Sequence, residues 1–455
     1  MHKDIRRAAL EIIRAGIAAV DPEGCVRRVL DLEGDLLRAA GEGIPLRDIR
    51  RIIVVGFGKA SARMARALEG ILGERISQGL VITAPGYGVP TKRIEVVEAS
   101  HPVPDERGLT AAARILDLVE SAGVHDLVIV LISGGGSALL TLPWEGIPLE
   151  DLATLNRLLL RSGATIQEIN AVRKHLSQVK GGRLAAAAYP ARSLSLILSD
   201  VVGDPLDVIA SGPTSPDPTT FADSVAVLKR HGIWDRVPET VRRHLERGLA
   251  GEVPETPKPG NPLFEKVRNI IVGSGRHAAQ AAMDRAQGLG YNAAILTTTL
   301  EGEAREVGKF LASLARELVR HGRPLPKPAA LVLAGETTVT VRGRGLGGRN
   351  QEVALSAAIG ISGLPDAVVA SVGTDGVDGP TDAAGGMVDG ESLERMATAG
   401  VDPKAALDDN DSHHALGASG DLIVTGPTGT NVADLLLVLV GTPTTTEMEL
   451  RHGTG

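Results

Sequence analysis

Short runs of aliphatic residues alternate along the chain with longer stretches in which apolar positions recur every three to four residues. That alternation is the pattern of parallel strands joined by crossover helices, so the predicted class is α/β. Residues 52–55 form the first clear strand, and Met64, Ala65, Leu68, Ile71 and Leu72 then fall on one helical face. Residues 80–83, 94–97, 127–132 and 194–198 read as further strands. Between the last two, Thr165 followed by Glu168 has the spacing of a capping box, opening a helix that carries Asn170, Arg173 and Lys174.

Residues 251–262, rich in Pro and Glu and without periodicity, read as a linker between a first domain over 1–250 and a second over 263–440. In the second, strands are predicted at 270–272, 293–296, 331–333, 339–341, 368–372 and 422–424, with helices between most of them. The polar segment 441–455 reads as a fraying tail. No internal repeat is visible.

A chain of 455 residues has room for two or three domains and a sizeable core. Aromatic residues are only 2%, so that core must be aliphatic, and a surface of stacked rings for bases or sugars is disfavoured. The formal charge of −7 is spread along the chain, which argues against nucleic acid or an anionic membrane as partner. Cys25 is the only cysteine, excluding an internal disulfide and a Cys-based metal cluster. Acids and bases interrupt the apolar positions of the first twenty residues, and no run approaches the ~20 residues of a membrane span. A cytoplasmic location is expected.

The candidate chemistry lies where strands end in turns of Gly, Ser or Asp: GFGKAS (56–61), SGGGSALL (133–140), SDVVGD (199–204), GTDGVDGPTD (373–382) and TGPTGTN (425–431). In parallel sheets ligands sit at the strand carboxyl ends, where glycines let backbone N–H groups approach an anion. Gly56 and Gly58 allow a tight turn with Lys59 at its mouth. The turn has no Walker spacing, and as a dinucleotide fingerprint it fails twice: Ser61 replaces the third glycine, and the next strand ends in Ala84, Pro85 and Gly86 without a ribose-binding acid. Ser133, Gly134, Gly135, Gly136 and Ser137 make the better phosphate cradle, three glycines between two hydroxyls. No Gly-x-Ser-x-Gly elbow is present there, which disfavours acyl transfer.

Gly347-Gly348-Arg349-Asn350 opens a helix after a glycine-rich loop, placing Arg349 where a guanidinium can clamp a phosphoryl group or a carboxylate. Asp200, Asp204, Glu336, Asp375, Asp378 and Asp382 gather at predicted strand ends. Each alone is as well explained by a turn or cap. Together they suit Mg²⁺, which takes one or two carboxylates plus phosphate oxygens. The eleven histidines have neither HExxH spacing nor a pairing with Cys, and His101 reads as structural.

In order along nearly the whole chain, GFGKAS, ASHPVPD, LISGGGSALL, TIQEINAVRKHLSQVKGGRLA, SDVVGDPLDVIASGPTSPD, AGETTVTVRGRGLGGRNQE, SVGTDGVDGPTDAAGG and TGPTGTNVADL resemble the type-2 glycerate kinases, or glycerate 2-kinases, whose C-terminal part is the MOFRL domain. The resemblance implies two three-layer α/β/α domains, the N-terminal one Rossmann-like with a mostly parallel sheet and the C-terminal one including the MOFRL region at about 329–440, with the active site in a cleft between them. It implies transfer of the ATP γ-phosphoryl group to D-glycerate, giving 2-phosphoglycerate. It puts Lys59, Arg349 and Asp200 in catalysis and Gly56, Gly58, residues 133–137 and Lys180 at the nucleotide phosphates. Glu336, Asn350 and Asp375 join the substrate side, with Mg²⁺ on Asp200 or Asp375. His413 stands where many members carry Tyr. The partners implied are ATP and D-glycerate, and homo-oligomerisation stays open. A rival reading, a hydroxypyruvate reductase, needs a nicotinamide site that GFGKAS does not supply.

Overall fold

In the computed structural model, which describes residues 2–443, the chain divides into two units: residues 22–272, and residues up to Asp21 together with those from Gly273 onward. The predicted boundary at 251–262 is therefore corrected. That segment belongs to the first unit, because its backbone and side chains close on a buried acid: Asp217 N–H donates to the Pro257 carbonyl at 2.9 Å, and the Thr256 hydroxyl donates to the Asp217 carboxylate at 2.9 Å. A stretch rich in Pro lacks periodicity whether or not it is packed, which is why its composition read as a linker.

After a short helix, Pro22–Val29, the first unit forms a small antiparallel meander, β1 (Leu30–Glu33), β2 (Leu36–Ala39) and β3 (Glu42–Pro45). Four-residue strands are too short to leave an alternating signal. The main sheet has six strands: β4 (Arg51–Phe57), β5 (Ile76–Thr83), β6 (Ile94–Glu98), β7 (Asp126–Ile132), β8 (Arg192–Leu198) and β9 (Val267–Gly273). Their order is β6-β5-β4-β7-β8-β9, with parallel pairing throughout from β6 to β8. Alternate residues face opposite layers. Ile53, Val55 and Phe57 of β4 pack with Val128, Val130 and Ile132 of β7 against Ala111, Ile115 and Val119 of the helix Glu106–Glu120. The helix Ser61–Leu72 buries Met64, Ala65, Leu68 and Leu72, as its spacing predicted. Burying each of Met64, Leu68 and Leu72 stabilises the fold by roughly 1.5–3 kcal/mol.

The strand order runs outward in opposite directions from β4 and β7, so the sheet has its topological switch point between them, where their carboxyl ends splay a crevice open. The capping box is present as predicted, Thr165 and Glu168 bonding reciprocally at the start of the helix Ile166–His175.

The second unit is also an α/β layer structure, but its sheet is mixed. The strands β10 (Asn292–Leu300), β11 (Ala329–Gly335), β12 (Ala367–Gly373), β13 (Gly385–Asp389), β14 (Leu422–Ile423) and β15 (Asp434–Val440) stand in the order β10-β11-β15-β12-β13-β14. Only β10 and β11 pair in parallel; β15 runs antiparallel to β11 and β12 between them. Residues 339–341, expected as a strand, form a loop: Val341 is 74% exposed, and the segment is tied to its neighbours by side chains rather than by a strand ladder, Glu303 accepting from the Thr340 N–H and hydroxyl at 3.0 and 2.9 Å. The tail from residue 444 lies outside the described residues.

The first helix, His2–Ala19, belongs to this second unit. Ile5, Ala9, Ile12 and Ile13 pack with Ala279, Ala282 and Ala286 of the helix Gly275–Gly288 on one sheet face. A Cβ at Gly16 would come within 2.9 Å of the Ala278 carbonyl, so the crossing requires glycine. The helices Ala304–His321 and Arg349–Ile361 cover the other face. Among the described residues no helix is long and apolar enough to cross a membrane.

Candidate functional site

At the switch point of the first unit, β4 and β7 run in register to Phe57 opposite Ile132, so Gly58 and Ser133 leave the sheet side by side. Ser133 N–H donates to the Phe57 carbonyl at 3.1 Å, Lys59 N–H to the Gly134 carbonyl at 2.9 Å, and Ala60 N–H to the Ser133 hydroxyl at 3.0 Å. Gly58 has φ +119°, and a Cβ there would land on the hydroxyl and carbonyl of Ser133. Gly58→Ala is therefore expected to destabilise the first unit by roughly 2–3 kcal/mol and to cost most of the activity. Thermal unfolding indistinguishable from the parent would refute this.

Welding the loops together in this way leaves several of their donors unused. Among the described residues, the amides of Gly134 and Gly135 donate to nothing and the Lys59 ammonium has no hydrogen-bond or ion-pair partner. Gly135, with φ +81°, passes so close to His101 that a Cβ would lie 2.9 Å from its Nε2. Burial, and then the charge of Lys59, lower the His101 pKa, so the ring is neutral at pH 7 and leaves Lys59 as the cation of the turn.

Behind the loop, the Ser137 hydroxyl meets that of Ser211 at 3.0 Å, which in turn donates to Asn170 Oδ1 at 3.1 Å. The buried Lys180 donates from Nζ to the Ser137 carbonyl at 2.5 Å. Burial, reinforced by the neighbouring Arg173, lowers the Lys180 ammonium to about 7. Asp200 follows the carboxyl end of β8 and is half-buried. Gly56 sits inside β4, where a Cβ would meet Leu131, and shapes the approach to the turn without reaching it.

The second unit holds the other cluster. Gly335 and Gly373, the last residues of β11 and β12, both pair with Asp434, the first residue of the antiparallel β15. This register brings the residues after two strands to the buried carboxylate that begins a third. Arg349 grips Asp434 in a fork, Nε to Oδ2 at 2.7 Å and Nη2 to Oδ1 at 3.0 Å, while its Nη1 meets Glu336 at 2.7 Å. Asn350 Nδ2 donates to Asp434 at 2.9 Å and to Asp378 at 3.2 Å. Asp378 accepts the backbone N–H groups of Asn350 and Gln351 at 3.0 and 2.8 Å, so this acid caps the helix that presents Arg349. Asp375 accepts from Val377 N–H at 3.1 Å in a tight turn. His413 Nδ1 bonds Gln351 Oε1 at 2.9 Å, and Asp382 is 3.6 Å from its Nε2.

Burial opposes the charge on Arg349, but its hydrogen bonds and attraction to Asp434, then Glu336, raise its pKa further. Burial pushes the Asp434 carboxyl up to about 6 against the pull of Arg349 and Asn350. Arg349 is thus a held guanidinium rather than an unpartnered one, aimed by two carboxylates. Of the residues predicted from sequence, Lys59 and 133–137 with Lys180 come together in the first unit, and Arg349, Asn350 and Glu336 in the second. Asp378 is a cap and Asp375 a turn residue. Asp434 was missed. Its signal was an acid at the head of the apolar run DLLLVLV.

No group of three or more His, Cys, Asp or Glu poised around a cation is found among the described residues. Asp200 and Asp375 belong to different units, so each offers a single carboxylate.

Residues 8–246 match the family described as a domain of unknown function (DUF4147), and residues 329–434 match the MOFRL family. The chain is 47% identical over 438 residues to the glycerate 2-kinase of Pyrococcus horikoshii, covering 96% of this chain and 98% of that one. It is 44% identical over 438 residues to a putative hydroxypyruvate reductase of Agrobacterium vitis, covering 96% and 94%. The crystal structure of glycerate kinase from Thermotoga maritima superposes with a TM-score of 0.87 at 45% identity, covering 96% of this chain and 100% of that one.

Proposed function

The chain belongs to the glycerate kinase family with a C-terminal MOFRL domain, and from that premise we propose that it transfers the γ-phosphoryl group of ATP to the 2-hydroxyl of D-glycerate. The observation that carries the reading is the pairing of an unpartnered lysine, Lys59, with the unused amides of Gly134 and Gly135 at a sheet switch point. Phosphoryl transfer asks for positioning and charge neutralisation more than for a covalent nucleophile. These groups supply both.

In the proposed step the glycerate oxygen bonds to the γ-phosphorus as the bond to the ADP oxygen breaks, and the hydroxyl proton passes to a carboxylate. Lys59 and the loop amides hold the polyphosphate oxygens. Arg349, its plane fixed by Asp434, faces the acidic substrate, and Glu336 gives way on its exposed edge. Magnesium fits this donor set as a passenger on the polyphosphate, needing just one carboxylate from Asp200 or Asp375, and when bound it neutralises phosphate charge. As an ATP-using enzyme it is proposed to work in the cytoplasm.

The Agrobacterium relative's name favours a second reading, reduction of hydroxypyruvate. Ser61, standing at the third glycine position of a dinucleotide fingerprint, spends its hydroxyl on the Gly58 and Ile82 carbonyls at 2.8 and 3.0 Å. After β5 come Ala84, Pro85 and Gly86, with no acid for a ribose. One assay separates the readings. With Mg-ATP and D-glycerate the protein is expected to form ADP and 2-phosphoglycerate, identified by ³¹P NMR, with no NADH oxidation on hydroxypyruvate. Glycerate-independent ADP or none at all would reject the kinase reading, and 3-phosphoglycerate would reject its regiochemistry.

A further inference from the structure

Immediately behind the glycine loop of the first unit lies a cavity of about 300 Å³, at the lower end of the ~300–1,000 Å³ typical of ligand pockets. Its walls are apolar: Leu142, Leu149, Leu152, Leu160 and Leu176, with Pro102. Leu160 is 67% exposed. Arg173 and Lys180 also line the cavity, together with Ser137, and Lys180 bonds the Ser137 carbonyl.

Those two cations have only neutral partners. Arg173 Nε donates to Asn156 Oδ1 at 2.8 Å and Lys180 Nζ to the Ser137 carbonyl at 2.5 Å, and neither meets a carboxylate among the described residues. The half-buried Arg173 and the buried Lys180 have no counter-charge, so an anion placed between them offsets the cost of taking their charge out of water. The occupant therefore combines an apolar body with an anionic end, and that end lies against Ser137, the last residue of the phosphate cradle.

The geometry points to this cavity as the site of the nucleotide base, with Arg173 and Lys180 receiving the phosphates that lead from it to Gly134, Gly135 and Lys59. The inference rests on the kinase reading above. Of the two proposed substrates, a three-carbon hydroxy acid has no apolar face to set against five leucines, whereas ATP brings a flat base and a train of phosphates. The helix Leu149–Arg161 becomes a specificity element for the donor, placed outside the glycine loops that sequence motifs single out.

Wild-type protein photolysed with 8-azido-ATP is expected to carry adducts, suppressed by excess ATP, in peptides from 140–160 or 173–180. ATP-protected adducts confined to other segments would overturn the assignment. Ala153, half-buried on the cavity wall, offers a second test. Ala153→Phe fills the space and is expected to raise the KM for ATP about 10-fold while the KM for glycerate and inhibition by inorganic triphosphate stay within about 2-fold. A folded, active variant with an unchanged KM for ATP would sink the inference and leave the kinase reading intact. Wild-type protein that forms no ADP with glycerate would sink the kinase reading, while the labelling pattern would still report where the nucleotide sits.

Discussion

Lys59→Met is expected to lower kcat by about 10³-fold, equivalent to about 4 kcal/mol of transition-state stabilisation, with little change in stability. The ammonium has no partner to leave behind among the described residues, and methionine keeps the aliphatic stem beside Gly135. The turn itself is held by backbone bonds, Lys59 N–H to the Gly134 carbonyl and Gly58 N–H to the Ile82 carbonyl at 3.0 Å, which the substitution leaves in place. The loss should therefore appear in single-turnover chemistry with an unchanged melting temperature. Turnover close to the parent would remove Lys59 from the mechanism, and loss of folding would show that the turn depends on the side chain after all.

Arg349→Met is expected to fail differently. It takes away the cation from a carboxylate that is 1% exposed, leaving Asn350 as the main remaining donor to Asp434. Breaking a buried pair on one side costs about 3–5 kcal/mol, so this variant should lose both stability and about 10³-fold in turnover. Asp434→Asn keeps the shape but loses the anion; it should leave the fold in place and reduce turnover about 10-fold by loosening the guanidinium plane.

The pH dependence follows from the same pair. The folded protein holds the Asp434 proton up to about 6, above the ordinary 3.8. This group's contribution to stability is therefore complete below pH 3.8 and lost as pH rises through about 6. Acidification does not weaken the fold through Asp434, yet it removes the charge that aims Arg349. Wild-type turnover should fall below about pH 6, and Asp434→Asn should flatten that limb; superimposable profiles would exclude the role.

Much of the parallel sheet was legible because β4, β7 and the second half of β5 leave aliphatic runs and are followed by turns that carry glycines. The central strand β15 was not. Its run DLLLVLV is as apolar as any other, but nothing in a run of leucines and valines states which neighbours it lies between or in which direction. Periodicity reports burial, and pairing is decided by contacts far apart in sequence. For the same reason Asp434 stayed invisible while Arg349, 85 positions earlier, stood out in its glycine loop. The cavity walls were hidden too, since leucines lining a pocket and leucines filling a core follow the same helical spacing.

The placement of the helix His2–Ala19 on the sheet of the second unit sets the order in which the molecule can be assembled during synthesis. Its docking partners, residues 275–288, are translated about 250 residues later, roughly 10–50 s at ordinary elongation rates. During that interval the strands of the first unit are synthesised one after another, from β1 to β9, while the amphipathic helix waits with Ile5, Ile12 and Ile13 uncovered. A nascent-chain binder such as a holdase chaperone would find this apolar stripe open throughout, and the last of the described strands, β15, completes the surface that finally covers it.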